Sequence, residues 1–172
     1  MILTDNEIQD NIERGFIKID PFDVKQLNPN SYNLRLHREL LIYEEVILDP
    51  RKEQRTSKVL IPEGGLPLLP NRLYLGRSVE YTETLSHVPM IEGRSSWGRL
   101  GLYIHITAGF GDVGFKGYWT LEISCVQPVI IYPNVEICQI FYHSISDLPS
   151  RKYKGKYQGN DGVQPSLLHK EL

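Results

Sequence analysis

Short runs of alternating apolar and polar residues, each halted by glycine or proline, constrain this chain more than any other feature. Phe16-Ile17-Lys18-Ile19-Asp20 alternates and is stopped by Pro21. Tyr32-Asn33-Leu34-Arg35-Leu36 alternates again. Further strand-like runs fall at 40–43, 59–61, 73–81, 102–107, 118–123, 129–132 and 137–142. A two-residue period sends successive side chains to opposite faces, which suits half-buried strands. With 14 glycines and 11 prolines to supply turns, this spacing predicts an all-β fold, either a sandwich or a barrel. The N-terminus is the exception. Thr4 and Glu7 have the spacing of a capping box, and Leu3 and Ile8 that of a hydrophobic staple. Ile8 and Ile12 share a helical face, and Gly15 can end the helix in the left-handed conformation.

The 172 residues suit a single domain spanning 1–172. The net charge of −2 argues against binding a nucleic-acid polymer, whose partners usually carry a basic excess. It leaves room for a local cluster of Arg and Lys. Cys125 and Cys138 lie in apolar runs and read as buried free thiols rather than a disulfide framework. The first residues do not resemble a signal peptide. No apolar run approaches the roughly 20 residues that span a bilayer. The cytoplasm is therefore the expected compartment, with no membrane partner. Residues 49–57 are polar and read as a surface loop, and no internal repeat is present.

Chemistry concentrates between Glu92 and Glu122. Glu92-Gly93-Arg94-Ser95-Ser96-Trp97-Gly98-Arg99-Leu100-Gly101 combines arginines, serines and glycines. Arginine forks, hydroxyls and closely approaching backbone suit an anion. A Gly-Ser turn carrying surface arginines has the same composition. Asp112 lies in a glycine-rich turn. Glu122 follows Leu121 on a strand whose alternation places Thr120 and Glu122 on one face and Trp119, Leu121 and Ile123 on the other. A Glu122 facing inward would need a partner or a function; facing water, it would mean nothing. Trp97 and Trp119 read as packing residues. His37, His87, His143 and His169 read as surface or loop residues. The Lys- and Gly-rich stretch from 144 onward reads as a solvated tail.

Gly93-Arg94-Ser95-Ser96-x-x-Arg99-Leu100-Gly101-Leu102, His105-x-Thr107-Ala108, Asp112-x-Gly114-Phe115-x-Gly117 and Leu121-Glu122 together resemble the signature of the dCTP deaminase family of the dUTPase superfamily. Leu3-x-Asp5-x-x-Ile8, Ser31-Tyr32-Asn33-Leu34-Arg35-Leu36, Ile137-Cys138-Gln139-Ile140-Phe141 and Gly155-Lys156-Tyr157 extend the resemblance over nearly the whole chain. It implies a dUTPase-like β-clip, a distorted β-barrel with a short N-terminal helix. It also implies a homotrimer with active sites between subunits. The activity implied is hydrolytic deamination of dCTP to dUTP and ammonia. The alternatives are a bifunctional, dUMP-forming deaminase, a non-catalytic nucleotide-sensing trimer, and a dUTPase without deaminase activity.

By the same resemblance Glu122 is the general base that activates water for attack at C4 of cytosine. Ser95 and Arg99 hold that water and stabilise the developing charge. Arg94, Ser95 and Ser96 contact the triphosphate, and Asp112 contacts the deoxyribose. His105, Thr107 and Ala108 lie beside the base, where dTTP would act as inhibitor; a satisfied strand histidine fits His105 equally. Tyr153, Lys156, Tyr157 and Asn160 belong to a tail, 144–172, that closes over the nucleotide. Magnesium would arrive on the triphosphate. No protein metal site and no zinc are expected, because the zinc deaminase ligand motifs are absent. The chain departs from the family pattern at Asn33, where Asp is common, at His37, where Gly is, and at Asn160, where Gln is.

Overall fold

Helix α1, Asp5–Glu13, forms where its capping signals stand. The Thr4 N–H donates to the Glu7 carboxylate at 2.8 Å, and the Glu7 N–H donates to the Thr4 hydroxyl at 3.4 Å. Leu3 and Ile8 are both buried, and Gly15 follows the helix at φ 73°. This computed structural model describes residues 1–172. No helix is long and apolar enough to cross a membrane.

The rest is β structure. In chain order the strands are β1 Ile17–Asp20, β2 Leu27–Asn28, β3 Ser31–Arg35, β4 Glu39–Tyr43, β5 Thr56–Leu60, β6 Leu66–Leu68, β7 Tyr74–Thr84, β8 Val88–Gly93, β9 Leu102–Tyr103, β10 Lys116–Cys125, β11 Val129–Ile131 and β12 Glu136–His143. Between β8 and β9 a single helical turn, α2, covers Ser95–Gly98. All ladders between these strands are antiparallel. The largest sheet has six strands, with β5-β4-β7-β10-β9 as its path. β10 runs along one edge of β7; β4, at Leu75, and β1, at Tyr81–Thr84, share the other. β2-β3-β12-β8 form a second sheet, and β6 pairs with β11.

Alternation explains these choices. β7 alternates buried and half-buried positions along most of its length, and β10 buries Leu121, Ile123 and Cys125. The apolar faces meet in one cluster of 24 buried residues. Burial of this kind contributes about 25 cal/mol per Å² of apolar surface. Cys125 and Cys138 are buried free thiols, and burial pushes both thiol pKa values up. β7 also carries a charge into the core. Glu80 has no exposed surface and accepts from Gln26 Nε2 at 3.0 Å, the Arg35 N–H at 2.8 Å and Arg35 Nε at 2.6 Å.

Two local expectations need correction. The run 102–107 is a strand only through Tyr103, because the Ile106 N–H turns to the Glu122 carboxylate instead of a ladder. β8 and the short β2 and β6 lack a clear alternation, and the residue pattern does not reveal them. His37 and His87 lie in loops, as expected; they are half-buried there, and desolvation holds both imidazoles below their ordinary pKa.

Candidate active site

Glu122 is half-buried on β10 between Leu121 and Ile123, which are 1% and 0% exposed. Its Oε2 accepts the Ile106 N–H at 3.1 Å. The side chain faces a cavity of about 460 Å³, which settles the alternation in favour of an inward Glu122. Thr120 lines the same cavity, as the two-residue period requires. Trp119 lines it as well, contrary to the alternation. The ladder between β10 and β7 slips between Tyr118 and Thr120, and such a bulge re-aims side chains. The Trp119 indole then donates to Thr82 Oγ1 at 2.9 Å and lies 4.8 Å from the Phe115 ring.

The loop before β10 supplies one wall, through Ile106, Ala108, Phe110, Gly111 and Asp112. Gly111 packs so closely against Trp119 and Pro89 that a β-carbon there would collide with both. Leu73 immediately precedes β7, Leu75 lies near its start, and Tyr43 comes from the end of β4.

The tail lines the cavity and is not free in solvent. The Tyr153 N–H donates to the Val113 carbonyl at 2.8 Å. Gln158 accepts from the Lys116 N–H at 3.0 Å and donates to the Gly114 carbonyl at 2.7 Å. Asn160 forms a parallel bridge with Gly117, and its amide donates to the Tyr118 carbonyl at 3.1 Å. Tyr153, Tyr157, Asn160 and Gln164 thereby line the cavity that Glu122 faces. A Lys- and Gly-rich composition conceals this docking, because it runs through backbone groups and amides rather than apolar burial.

The fold thus brings Glu122, Ala108, Asp112, Tyr153, Tyr157 and Asn160 together. It leaves Arg94, Ser95, Ser96 and Arg99 on and beside α2, outside the cavity of their own chain. His105 stands 3.5 Å from Glu92, and Thr107 is exposed without lining the cavity. Lys156 reaches Glu171 at 2.6 Å, and that hydrogen bond holds its ammonium pKa above the ordinary value. The walls contain two acids, Asp112 and Glu122, and no lysine or arginine. Sequence reasoning missed Tyr43, Phe115, Tyr118 and Gln164. Thr120 was within its reach, two residues from Glu122 on the same face.

A family described as dCTP deaminase-like matches residues 2–145. The chain belongs to the dCTP deaminase-like family. It is 59% identical to a protein of Clostridium acetobutylicum named dCTP deaminase, dUMP-forming, and 61% identical to one of the same name from Hathewaya histolytica. Each match covers 100% of this chain and 99% of the relative. A relative of that name from Leptospira biflexa is 58% identical, with 98% of its length covered. Among solved structures, the 2'-deoxycytidine 5'-triphosphate deaminase from Agrobacterium tumefaciens shares the fold with a TM-score of 0.67 at 21% identity. That match covers 84% of this chain and 48% of the other, so this dCTP deaminase-like chain spans about half the length of that structure. The tail beyond residue 145 lies outside the family match but inside the full-length matches to the dUMP-forming relatives.

Proposed function

We propose that this chain is a dUMP-forming dCTP deaminase, which converts dCTP and two waters to dUMP, ammonia and pyrophosphate. The observation that carries the reading is a half-buried carboxylate, Glu122, with one oxygen tied to a backbone N–H and the side chain facing a cavity large enough for a nucleoside. Identity near 60% over the full length with proteins named for this activity supports it over release of dUTP, the product first expected from the family resemblance.

In the deamination step Glu122 takes a proton from water as the oxygen bonds to C4 of cytosine. It then passes protons to N3 and to the amine, and the C4–N bond breaks to release ammonia. The hydrogen bond to Ile106 fixes the carboxylate so that it need not reorganise as charge moves. In the second step water attacks the α-phosphate beside Asp112, and pyrophosphate departs. In this reading Asp112 also contacts the deoxyribose and Ala108 packs beside the base, both being residues of the cavity wall. Tyr153, Tyr157 and Asn160, with Lys156, close over the phosphates and exclude solvent.

A triphosphate needs cations, and no lysine or arginine of this chain lines the cavity. The missing groups are those of α2, Arg94, Ser95, Ser96 and Arg99, supplied by a neighbouring copy in a homotrimer of dUTPase-like distorted barrels. Leu100 and Tyr103, beside α2, and Phe110, on the cavity wall, are 47%, 55% and 64% exposed, as a surface awaiting a second copy would be. Magnesium enters on the phosphates as part of the substrate. His105 and Thr107 stand beside Ala108 at the base end, where dTTP would act as inhibitor.

The test is incubation with dCTP and magnesium, followed by chromatographic separation of dUTP, dUMP and pyrophosphate. Formation of dUMP and pyrophosphate without free dUTP is expected. Accumulation of dUTP would point to deamination alone, and unchanged dCTP would remove the enzymatic reading.

A further inference from the structure

We propose that Glu136, oriented by Asn33, is a positioning residue that presents Arg94 to the phosphate chain. The inference rests on the reading above that Arg94 grips phosphate. At the start of β12 the ladder to β3 slips between Glu136 and Cys138. The Glu136 carbonyl is thereby available to α2. It accepts Arg94 Nη1 at 3.0 Å and Trp97 Nε1 at 2.9 Å. The same Arg94 nitrogen lies 3.0 Å from Glu136 Oε2. That carboxylate oxygen also accepts Asn33 Nδ2 at 2.8 Å.

Asn33 cannot turn over freely. It is 5% exposed, and its Oδ1 accepts Asn28 Nδ2 at 2.9 Å. Its backbone carbonyl accepts Gln26 Nε2 at 2.7 Å, and Gln26 donates onward to the buried Glu80. A continuous polar chain therefore runs from the core at Glu80 to the guanidinium at the mouth of α2. Because Glu136 occupies Nη1, Arg94 keeps Nε and Nη2 for the two parallel hydrogen bonds that arginine makes to phosphate. With Glu136 opposite, position 33 needs an amide, since an aspartate there would set two carboxylates face to face.

The sign of the effect separates positioning from simple neutralisation. A carboxylate that merely competed with phosphate for Arg94 would weaken nucleotide binding, so its removal would lower KM. A carboxylate that aims Arg94 does the reverse. The experiment measures kcat, KM for dCTP and the thermal midpoint of the wild type, Arg94→Ala, Glu136→Leu, Glu136→Gln and Asn33→Asp. Glu136→Leu removes the side-chain acceptor that Arg94 and Asn33 share, and it and Asn33→Asp are each expected to raise KM about tenfold with kcat within about twofold of wild type. In Glu136→Gln the amide oxygen still accepts both Arg94 Nη1 and Asn33 Nδ2, and KM is expected within about threefold of wild type. An unchanged or lowered KM in Glu136→Leu overturns the proposal, as does a Glu136→Gln no better than Glu136→Leu. Position 136 is partly exposed, so the two Glu136 variants decide alone should the buried Asn33→Asp not fold. If Arg94→Ala raises KM and Glu136→Leu does not, the coupling has failed; if Arg94→Ala itself leaves KM unchanged, the underlying reading of Arg94 has failed.

Discussion

Replacing Glu122 with glutamine removes a base and almost nothing else. The amide keeps the size of the side chain and an oxygen that can accept the Ile106 N–H, now at 3.1 Å. Exchanging a charged acceptor for a neutral one at this half-exposed site costs about 1 kcal/mol of stability. Leu121 and Ile123 on either side are untouched. The chemical step loses its proton acceptor, and general-base catalysis contributes roughly 10²- to 10⁴-fold, or about 3 to 5 kcal/mol of barrier. The two effects differ enough to be measured separately. Ammonia release from dCTP is expected to fall at least about a hundredfold, while the urea midpoint moves little. Cleavage of added dUTP to dUMP, which Asp112 and not Glu122 serves, is expected to persist. A Glu122→Gln protein that releases ammonia within a few-fold of wild type refutes the assignment. Loss of ammonia release accompanied by loss of the fold would refute the claim that the site and the core are separable here.

Gly117 sits at φ 145°, and a β-carbon there would come within 2.9 Å of the Asn160 backbone. Gly117→Ala is therefore expected to lift the tail from β10 and lower kcat/KM roughly 10- to 100-fold; limited proteolysis within 151–172 reports the release, and a protected tail with normal turnover contradicts it. Glu80→Ala leaves Arg35 and Gln26 without their shared acceptor. A loss of about 3 to 5 kcal/mol in urea unfolding is expected, and a loss below about 1 kcal/mol would show that the network is compensated elsewhere. Burial lowers the pKa values of His37 and His87 below 6.5, with Glu7 partly opposing this at His87. The unfolded chain then binds protons more tightly than the folded one, so stability is full above pH 6.5 and declines as pH falls toward the folded values. His87→Gln should flatten that decline in thermal midpoints measured across the range, and an unchanged pH profile would exclude His87 as a source.

The all-β class, the capped N-terminal helix, the buried thiols and the position of Glu122 on an apolar strand were legible in the order of residues. Those features depend on residues close along the chain: a two-residue period, a four-residue capping box, a run of apolar side chains. The resemblance of the Gly93–Glu122 motifs added the family. The folded arrangement alone reveals which way Glu122 points, that the bulge at Trp119 turns the indole into the same cavity, and that a polar tail lies along β10 through Gln158 and Asn160. It also placed Asn33, Glu136 and Arg94 in one chain of hydrogen bonds, although 103 residues separate the first two. Side-chain direction at a bulge and pairing between distant polar groups depend on register and on what lies across the gap. A local pattern of residue types carries neither.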